Sequence, residues 1–315
     1  MKEQHTGIIL FNKQQGETSF DCVERVKKLL RVKKVGHAGT LDPFATGLLI
    51  LLVGKATRLQ QQFMLMNKRY LATFKFGIET DTLDPTGKVM REETCHLELP
   101  EIEKHIKEHF LGEIEQRPPS FSAVKVAGKR AYSLSRQGIT PKLPLKKVEV
   151  KEFNVLSVDK EKNEIEVDLL VSSGTYVRAI VRDLAYKMQT IGHVSKLSRE
   201  TIGEFSLKDA VTLVDRKIEK EGENREKLLN ALQKIEDCPF GETIIVDAAK
   251  EKLLSIAKQK NNFGAFRPYF GKEKQLKIIS KKEKLLAVLT KQNDEKIACA
   301  YYNEPPKNFS VANNR

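Results

Sequence analysis

Six consecutive aliphatic residues, Leu48 to Val53, form the longest aliphatic run in the 315-residue chain. Roughly 20 would be needed to cross a bilayer. A run this short has the length of a strand covered on both faces. It follows directly on Val35–Gly47, where three glycines, a proline, a histidine and an aspartate share one loop. The expectation is a buried strand leaving a tight, ligand-accessible turn, in a protein whose layers cover that strand on both sides.

The rest of the chain reads around this strand. Gly7 to Asn12 is a short buried strand. Thr18 and Asp21 have capping-box spacing at the start of a helix whose apolar face carries Phe20, Val23, Val26 and Leu29. A helix is expected from about Ala56 to Met66, and a strand over Arg69–Gly77, where Tyr70, Ala72, Phe74 and Phe76 alternate with other residues. Pro100–Phe110 reads as an amphipathic helix. Ile165, Val167, Leu169 and Val171 mark a further strand, and a helix runs from Tyr176 to about Met188. Pro118–Val150 is basic and irregular, as functional loops often are. Asp215–Asn224 is densely charged and reads as a surface connection. Beyond Cys238 the apolar runs Ile244–Val246, Leu276–Ile279, Leu285–Leu289 and Ile297–Tyr301 suggest a small β-rich module. From Gly241 onward it has 15 Lys and Arg against 8 Asp and Glu.

Charge narrows the function. There are 55 Lys and Arg against 42 Asp and Glu, a formal net charge of +13, which favours a polyanionic partner, either nucleic acid or an acidic membrane surface. The N-terminus carries an acid and no apolar core, so no signal peptide is expected. The four scattered cysteines, Cys22, Cys95, Cys238 and Cys299, fit neither a disulfide framework nor a zinc site and suggest a reducing cytoplasm. His105 and His109 have zinc-compatible spacing on a helix but no evident third ligand, so no metal is expected. Gly36–Gly47 lacks the Gly-Lys-Ser/Thr ending of a P-loop.

Within the loop, Pro43 holds Asp42 extended. A rigid aspartate suits a nucleophile or base, while composition alone favours an Asx turn. Thr-Leu-Asp-Pro occurs twice, at Thr40–Pro43 and Thr82–Pro85. The second copy lacks the Gly36–Gly39 lead-in, so Asp84 reads as a turn residue.

The longer loop resembles that of TruB-type tRNA pseudouridine synthases, and the resemblance is ordered along residues 7 to 210. It includes Phe11–Ser19, Gly36–Gly47, Lys68-Arg69-Tyr70, Thr80–Gly87, Gln116–Ala123, Gly128–Tyr132, Ser173–Arg178 and His193–Leu197. It implies an α+β fold, with a mixed, mostly antiparallel central sheet flanked by helices. The implied domains are a catalytic one over residues 1–238, with a basic insertion at about 120–150, and a PUA-like RNA-binding one over 239–315.

The implied reaction isomerises the uridine at position 55 in the tRNA T-loop. It breaks a C–N glycosidic bond, turns the uracil and rejoins it through carbon. Asp42 is the implied catalytic carboxylate, attacking the sugar or removing a sugar proton. Arg178 would keep it ionised; read from the residues alone, Arg178 better suits a solvated helix face shared with Arg182. The resemblance has Tyr70 stack on the target base, Tyr176 lie near the uracil and Leu197 pack against it. His37 would enter the T-loop where the base was, and Lys13 would support the loop or bind phosphate. Lys13 precedes Gln14 where the family usually has proline, and Ser198 and Glu200 also depart from the family pattern. Lys125, Lys129, Arg130, Arg136, Lys142, Lys146 and Lys147 suit phosphate contacts in the insertion, and Tyr132 suits stacking. No cofactor is implied. The implied partner is tRNA, through its T-loop arm and acceptor stem, bound by a monomer with no membrane. An RNA chaperone and a ribosomal RNA pseudouridine synthase are the rival readings.

Overall fold

A computed structural model describes residues 5–122, 125–126, 129–130, 143–213, 220–271, 275–282, 284–292 and 296–302. Its frame is one long sheet. In chain order the strands are β1 (Gly7–Lys13), β2 (Val35–His37), β3 (Thr46–Val53), β4 (Lys68–Phe76), β5 (Ile78–Thr80), β6 (Val89–Glu92), β7 (Gly112–Gln116), β8 (Lys125–Val126), β9 (Lys129–Arg130), β10 (Lys146–Asp159), β11 (Glu164–Val171), β12 (Gly192–Ile202), β13 (Phe205–Ser206) and β14 (Leu232–Gln233). The sheet runs β14-β1-β3-β12-β4-β11-β10-β7, with β2 added to β3 and β13 to β12. Its ladders are antiparallel except where β12 meets β3, at Ser198 opposite Thr46 and Arg199 opposite Gly47. The expected mixed, mostly antiparallel sheet is therefore present.

Helices cover the sheet according to their apolar stripes. In α1 (Ser19–Leu30), Thr18 and Asp21 exchange the two hydrogen bonds of a capping box, at 3.0 and 2.9 Å. Cys22, Val23, Val26, Leu29 and Leu30 are buried against β1 and β3. Phe20 is not on that face: it is 66% exposed, one turn position away from the stripe. The residues expected to form a helix from Ala56 form a 3-10 turn, Gly54–Leu59, followed by α2 (Gln60–Leu65). Helix α3 (Leu99–His109) and helix α4 (Val177–Lys187) pack on β4, β10, β11 and β12 around Phe74, Phe76, Phe153, Ile180 and Leu184.

Three further expectations change. The end of the irregular basic stretch is strand: Lys146–Val150 opens β10 and pairs with β7. Its charged residues alternate with buried Val148 and Val150, as on an antiparallel strand with one wet face. The charged connection near 215–224 gives way to α5 (Glu221–Asn230), whose Leu228 is buried. The module after Cys238 contains the four expected strands, β15 (Glu242–Val246), β16 (Gln275–Ser280), β17 (Leu285–Lys291) and β18 (Ile297–Tyr302), and also α6 (Ala248–Gln259). The four strands form one sheet in sequence order, with β15 parallel to β16. This small sheet shares a core with the large one: Ile279, Leu285, Val288 and Tyr301 cluster with Phe63, Phe205 and Phe240. The Phe63 and Phe240 rings meet edge to face at 5.2 Å.

Candidate active site

The Gly36–Gly47 loop joins β2 to β3 and is tied on both sides of Asp42. The Leu41 N–H donates to Ser19 Oγ at 2.9 Å, and that hydroxyl donates back to the Leu41 carbonyl at 3.2 Å. The Pro43 carbonyl accepts from the Gly16 N–H at 2.8 Å and from Lys13 Nζ at 3.3 Å. Lys13 is fully buried and also donates to the carbonyls of Glu17 and Gln14, at 2.8 and 3.1 Å. Every N–H of its ammonium is engaged, so of the two roles expected of Lys13 the geometry fits loop support. Arg199 braces the loop from β12, with Nε donating to the Leu48 carbonyl at 2.8 Å and Nη2 to that of Gly39 at 3.1 Å. Gly47, at φ +104°, lies against the Arg199 main chain, where a Cβ would come within 2.5 Å of the carbonyl oxygen. Peptide groups fixed on both flanks leave Asp42 little freedom beyond its own χ angles.

Arg178, on the first turn of α4 and 5% exposed, grips that carboxylate with two bonds, Nε to Oδ2 at 2.9 Å and Nη2 to Oδ1 at 3.1 Å. It is not a solvated helix-face residue. Nη1 donates to the Thr82 carbonyl at 2.8 Å and to Asp84 Oδ2 at 3.3 Å, and Nη2 reaches the Phe121 carbonyl at 3.0 Å. Five acceptor contacts fix the guanidinium in its plane. Asp84 is a turn residue, as its sequence suggested: its Oδ1 accepts from the Thr86 N–H at 2.9 Å and from Thr82 Oγ1 at 2.8 Å. It is also the second carboxylate on Arg178, which the turn reading missed. Its Thr-Leu-Asp-Pro repeat and its place in the ordered resemblance were the available signals. Burial pushes the Asp42 carboxyl up from the usual carboxylate range; Arg178 opposes this, Asp84 adds to it, and Lys13 pulls weakly the other way.

A cleft of about 410 Å³ opens over Asp42. Tyr70 from β4, Leu197 from β12, and Tyr176 and Arg178 at the start of α4 line it with Gly39, Met64, Lys68 and Arg199. The structure therefore brings together Asp42, Tyr70, Tyr176, Arg178 and Leu197. Both Tyr70 and Leu197 also belong to the core behind the cleft. The Tyr176 peptide is clamped by a residue the sequence reading did not single out: its N–H donates to Gln116 Oε1 at 2.8 Å, and Gln116 Nε2 donates to its carbonyl at 3.1 Å. Burial pushes the Tyr176 hydroxyl up from its ordinary pKa.

His37 is placed elsewhere, on β2, and does not line the cleft. Its carbonyl accepts from Gln60 Nε2 at 2.9 Å, and its Nδ1 is buried without a partner. Burial and the nearby Arg199 lower its pKa, favouring the neutral ring. In the insertion, Lys125–Val126 and Lys129–Arg130 pair as a short ladder, while Tyr132, Arg136 and Lys142 lie outside the described residues. Lys147 is exposed and pairs with Glu113 at 2.8 Å. For metals, one group among the described residues gathers three ligand-type side chains: His105, Glu108 and His109 on α3, with ligand atoms within 4.8 Å of one another. None of the three lines the cleft. All four cysteines are free thiols.

The site is thus a guanidinium-gripped aspartate on a tied loop between β2 and β3 of a mixed sheet. The fold matches two solved structures: a Cbf5-Nop10-Gar1 complex (TM-score 0.66, 23% identity, 96% of this chain and 86% of that one) and an H/ACA RNP bound to a substrate RNA containing 2′-deoxyuridine (TM-score 0.67, 22% identity, 98% and 87%). The model of the TruB family pseudouridylate synthase N-terminal domain matches residues 27–177. The tRNA pseudouridine synthase B of Borreliella burgdorferi (strain ZS7) is 38% identical over 287 residues, 90% of this chain and 94% of that protein. Its counterpart from Nostoc sp. (strain PCC 7120) is 46% identical over 211 residues, 66% and 71%. The chain belongs to the TruB family of pseudouridylate synthases.

Proposed function

We propose that the protein isomerises the T-loop uridine of tRNA to pseudouridine, with Asp42 as the catalytic carboxylate. The observation that carries this reading is the two-bond grip of Arg178 on Asp42 at the floor of a cleft walled by Tyr70 and Tyr176. The C1′–N1 bond of the uridine breaks and the C1′–C5 bond forms, N1 gains a proton and C5 loses one. Atoms balance without a co-reactant. An ionised carboxylate serves either route, attack on the sugar or removal of a sugar proton. Arg178 holds Asp42 charged when an entering base displaces water.

Tyr70 provides a flat face for the flipped uracil. Stacking on an aromatic ring contributes about 1–3 kcal/mol per base, enough to offset much of the few kcal/mol needed to unstack the uridine. Leu197 closes the apolar side of the site. His37, one strand away on β2, fits a role in the RNA rather than in proton transfer, because its pKa is lowered. Lys125, Lys129, Arg130 and Tyr132 of the insertion are proposed to contact the T-loop arm. Residues 239–315 are proposed as a PUA-like domain that grips the acceptor stem; in support, they carry a basic surplus and four strands sharing a core with the first part of the chain. The proposed working form is a monomer in the cytoplasm. No described helix is long and apolar enough to cross a membrane.

The test is pseudouridine formation in an unmodified tRNA transcript, wild type beside Asp42→Asn, with tRNA binding measured in parallel. Conversion by wild type, and binding without conversion by Asp42→Asn, is expected. Wild-type protein that binds tRNA and leaves every uridine intact overturns the enzyme reading in favour of an RNA chaperone. Activity on a ribosomal RNA fragment but not on an isolated T-arm stem-loop overturns the substrate assignment.

A further inference from the structure

Positive charge in the cleft exceeds what its carboxylates neutralise. Arg178 faces Asp42 and Asp84 and is consumed by them. Toward the Gly39 side of the same cleft stand two more cations, Lys68 on β4 and Arg199 on β12. Among the described residues, neither has a carboxylate within ion-pair distance. Lys68 is 6% exposed, and its Nζ donates to the carbonyls of Met64 and Met66 at the end of α2. An ammonium has three N–H groups, so one remains for a ligand. Arg199, also buried, has spent three of its five on the carbonyls of Leu48, Gly39 and Thr40. No side chain stands at Gly39 to cover the guanidinium edge.

Capping the carbonyl end of α2 explains one cation here, since helix C-termini favour positive charge. It does not explain a second at its back. Two like charges buried together are costly unless an anion joins them. The cost is visible in Lys68: burial and the facing Arg199 push its amine down to about 7. The carbonyls of Met64 and Met66 and the Arg199 guanidinium are the groups the structure records facing it.

We propose that Lys68, backed by Arg199, forms an oxyanion subsite of the cleft that takes a phosphodiester oxygen of the RNA strand next to the flipped uridine. This rests on the RNA uridine reading above. The subsite binds the ammonium form, so anion affinity is greatest below about pH 7 and weakens above it.

The test uses the full-length protein, wild type beside Lys68→Met and Lys68→Arg. Steady-state pseudouridine formation gives kcat and KM for a tRNA transcript at several salt concentrations. Sulfate, which does not titrate between pH 6 and 9, is the anion probe, as a competitor at constant ionic strength. For Lys68→Met the expected result is a KM raised about tenfold, kcat within about twofold, and a salt slope smaller by about one. Lys68→Arg should restore KM. Sulfate should compete with tRNA on wild type, weakening by up to about tenfold per pH unit above 7, and should show no such pH dependence on Lys68→Arg. A Lys68→Met protein that melts lower while keeping KM and the salt slope overturns the proposal, leaving Lys68 as a helix cap. So does a fall in kcat at unchanged KM, or sulfate competition independent of pH. Should wild type form no pseudouridine, the function reading fails, and sulfate binding across pH still decides the subsite.

Discussion

Asp42 does its work in the ionised form, and its surroundings raise the pH needed to reach that form. Burial lifts its carboxyl above the ordinary value of 3.8 and outweighs the opposing guanidinium. Activity is therefore present above the folded-state pKa and lost as pH falls through it. The acid limb of kcat/KM is expected above pH 3.8, shifted further up in Arg178→Met and down in Asp84→Asn, as a pH–rate profile reads directly. Arg178→Met also leaves two carboxylates without their shared partner, and breaking a buried pair costs about 3–5 kcal/mol, measurable by denaturant unfolding. A carboxylate held ionised against its burial destabilises the fold at neutral pH. Asp42→Asn should thus melt at or above the wild-type temperature while activity drops by at least about 10²–10⁴-fold. At this scale the sequence showed much. Asp42, Tyr70, Tyr176, Arg178 and Leu197, which line one cleft, stand out in the sequence by the order of their motifs. The ion pair of Asp84, the clamp of Gln116 and the brace of Arg199 were not legible, because each acts through a partner distant in sequence, and a pairwise contact leaves no local pattern.

Among the elements, the β2–β3 loop depends most on single atoms. Gly47 combines φ +104° with contact on the Arg199 backbone, so Gly47→Ala combines backbone strain with a clash. A loss of about 1–3 kcal/mol from strain alone is expected, together with a fall in kcat as Asp42 moves; thermal melting and turnover on the same preparation check both. Thr18→Ala removes one half of the α1 capping box and costs about 1 kcal/mol. The legible elements were those with a period: β4 and β11 alternate, α1 and α3 carry apolar stripes, and the β3 run is continuous. Strand β12 is as central as β3 yet went unread as a strand. Its His193, Ser195, Lys196, Ser198 and Arg199 break the apolar pattern, and the buried polar ones are satisfied from neighbouring strands, His193 by the Ile78 carbonyl at 2.9 Å and Arg199 by that of Leu48. Polarity answered by tertiary contacts cannot be told from a loop by composition.

Across the whole molecule, the small sheet and the large one are held by a common apolar cluster. Phe63, Phe205 and Phe240 pack with Ile279, Leu285, Val288 and Tyr301, and Lys277 caps the joint, donating to the carbonyls of Glu236 and Cys238 at 3.0 and 2.7 Å. Ending the chain after residue 240 would expose the Phe63 face. A lowered melting temperature and a tendency to aggregate are expected of that truncation, beyond any loss of RNA affinity; calorimetry with light scattering distinguishes the effects. The basic surplus and the four C-terminal strands could be read from the sequence, but not this joint, since no residue pattern announces which apolar faces meet.

The parallel junction of β12 with β3 also governs when the site can exist. Strand β12 slots between β3 and β4, whose residues precede it by more than a hundred positions, and it carries Arg199 to the loop while α4 carries Arg178 to Asp42. Contacts so far apart along the chain form late and slowly. A ribosome must therefore release the polypeptide past Ile202 before the loop around Asp42 has its braces. Until then the aspartate lacks the brace that Arg199 brings, and competence for chemistry arrives with the docking of β12.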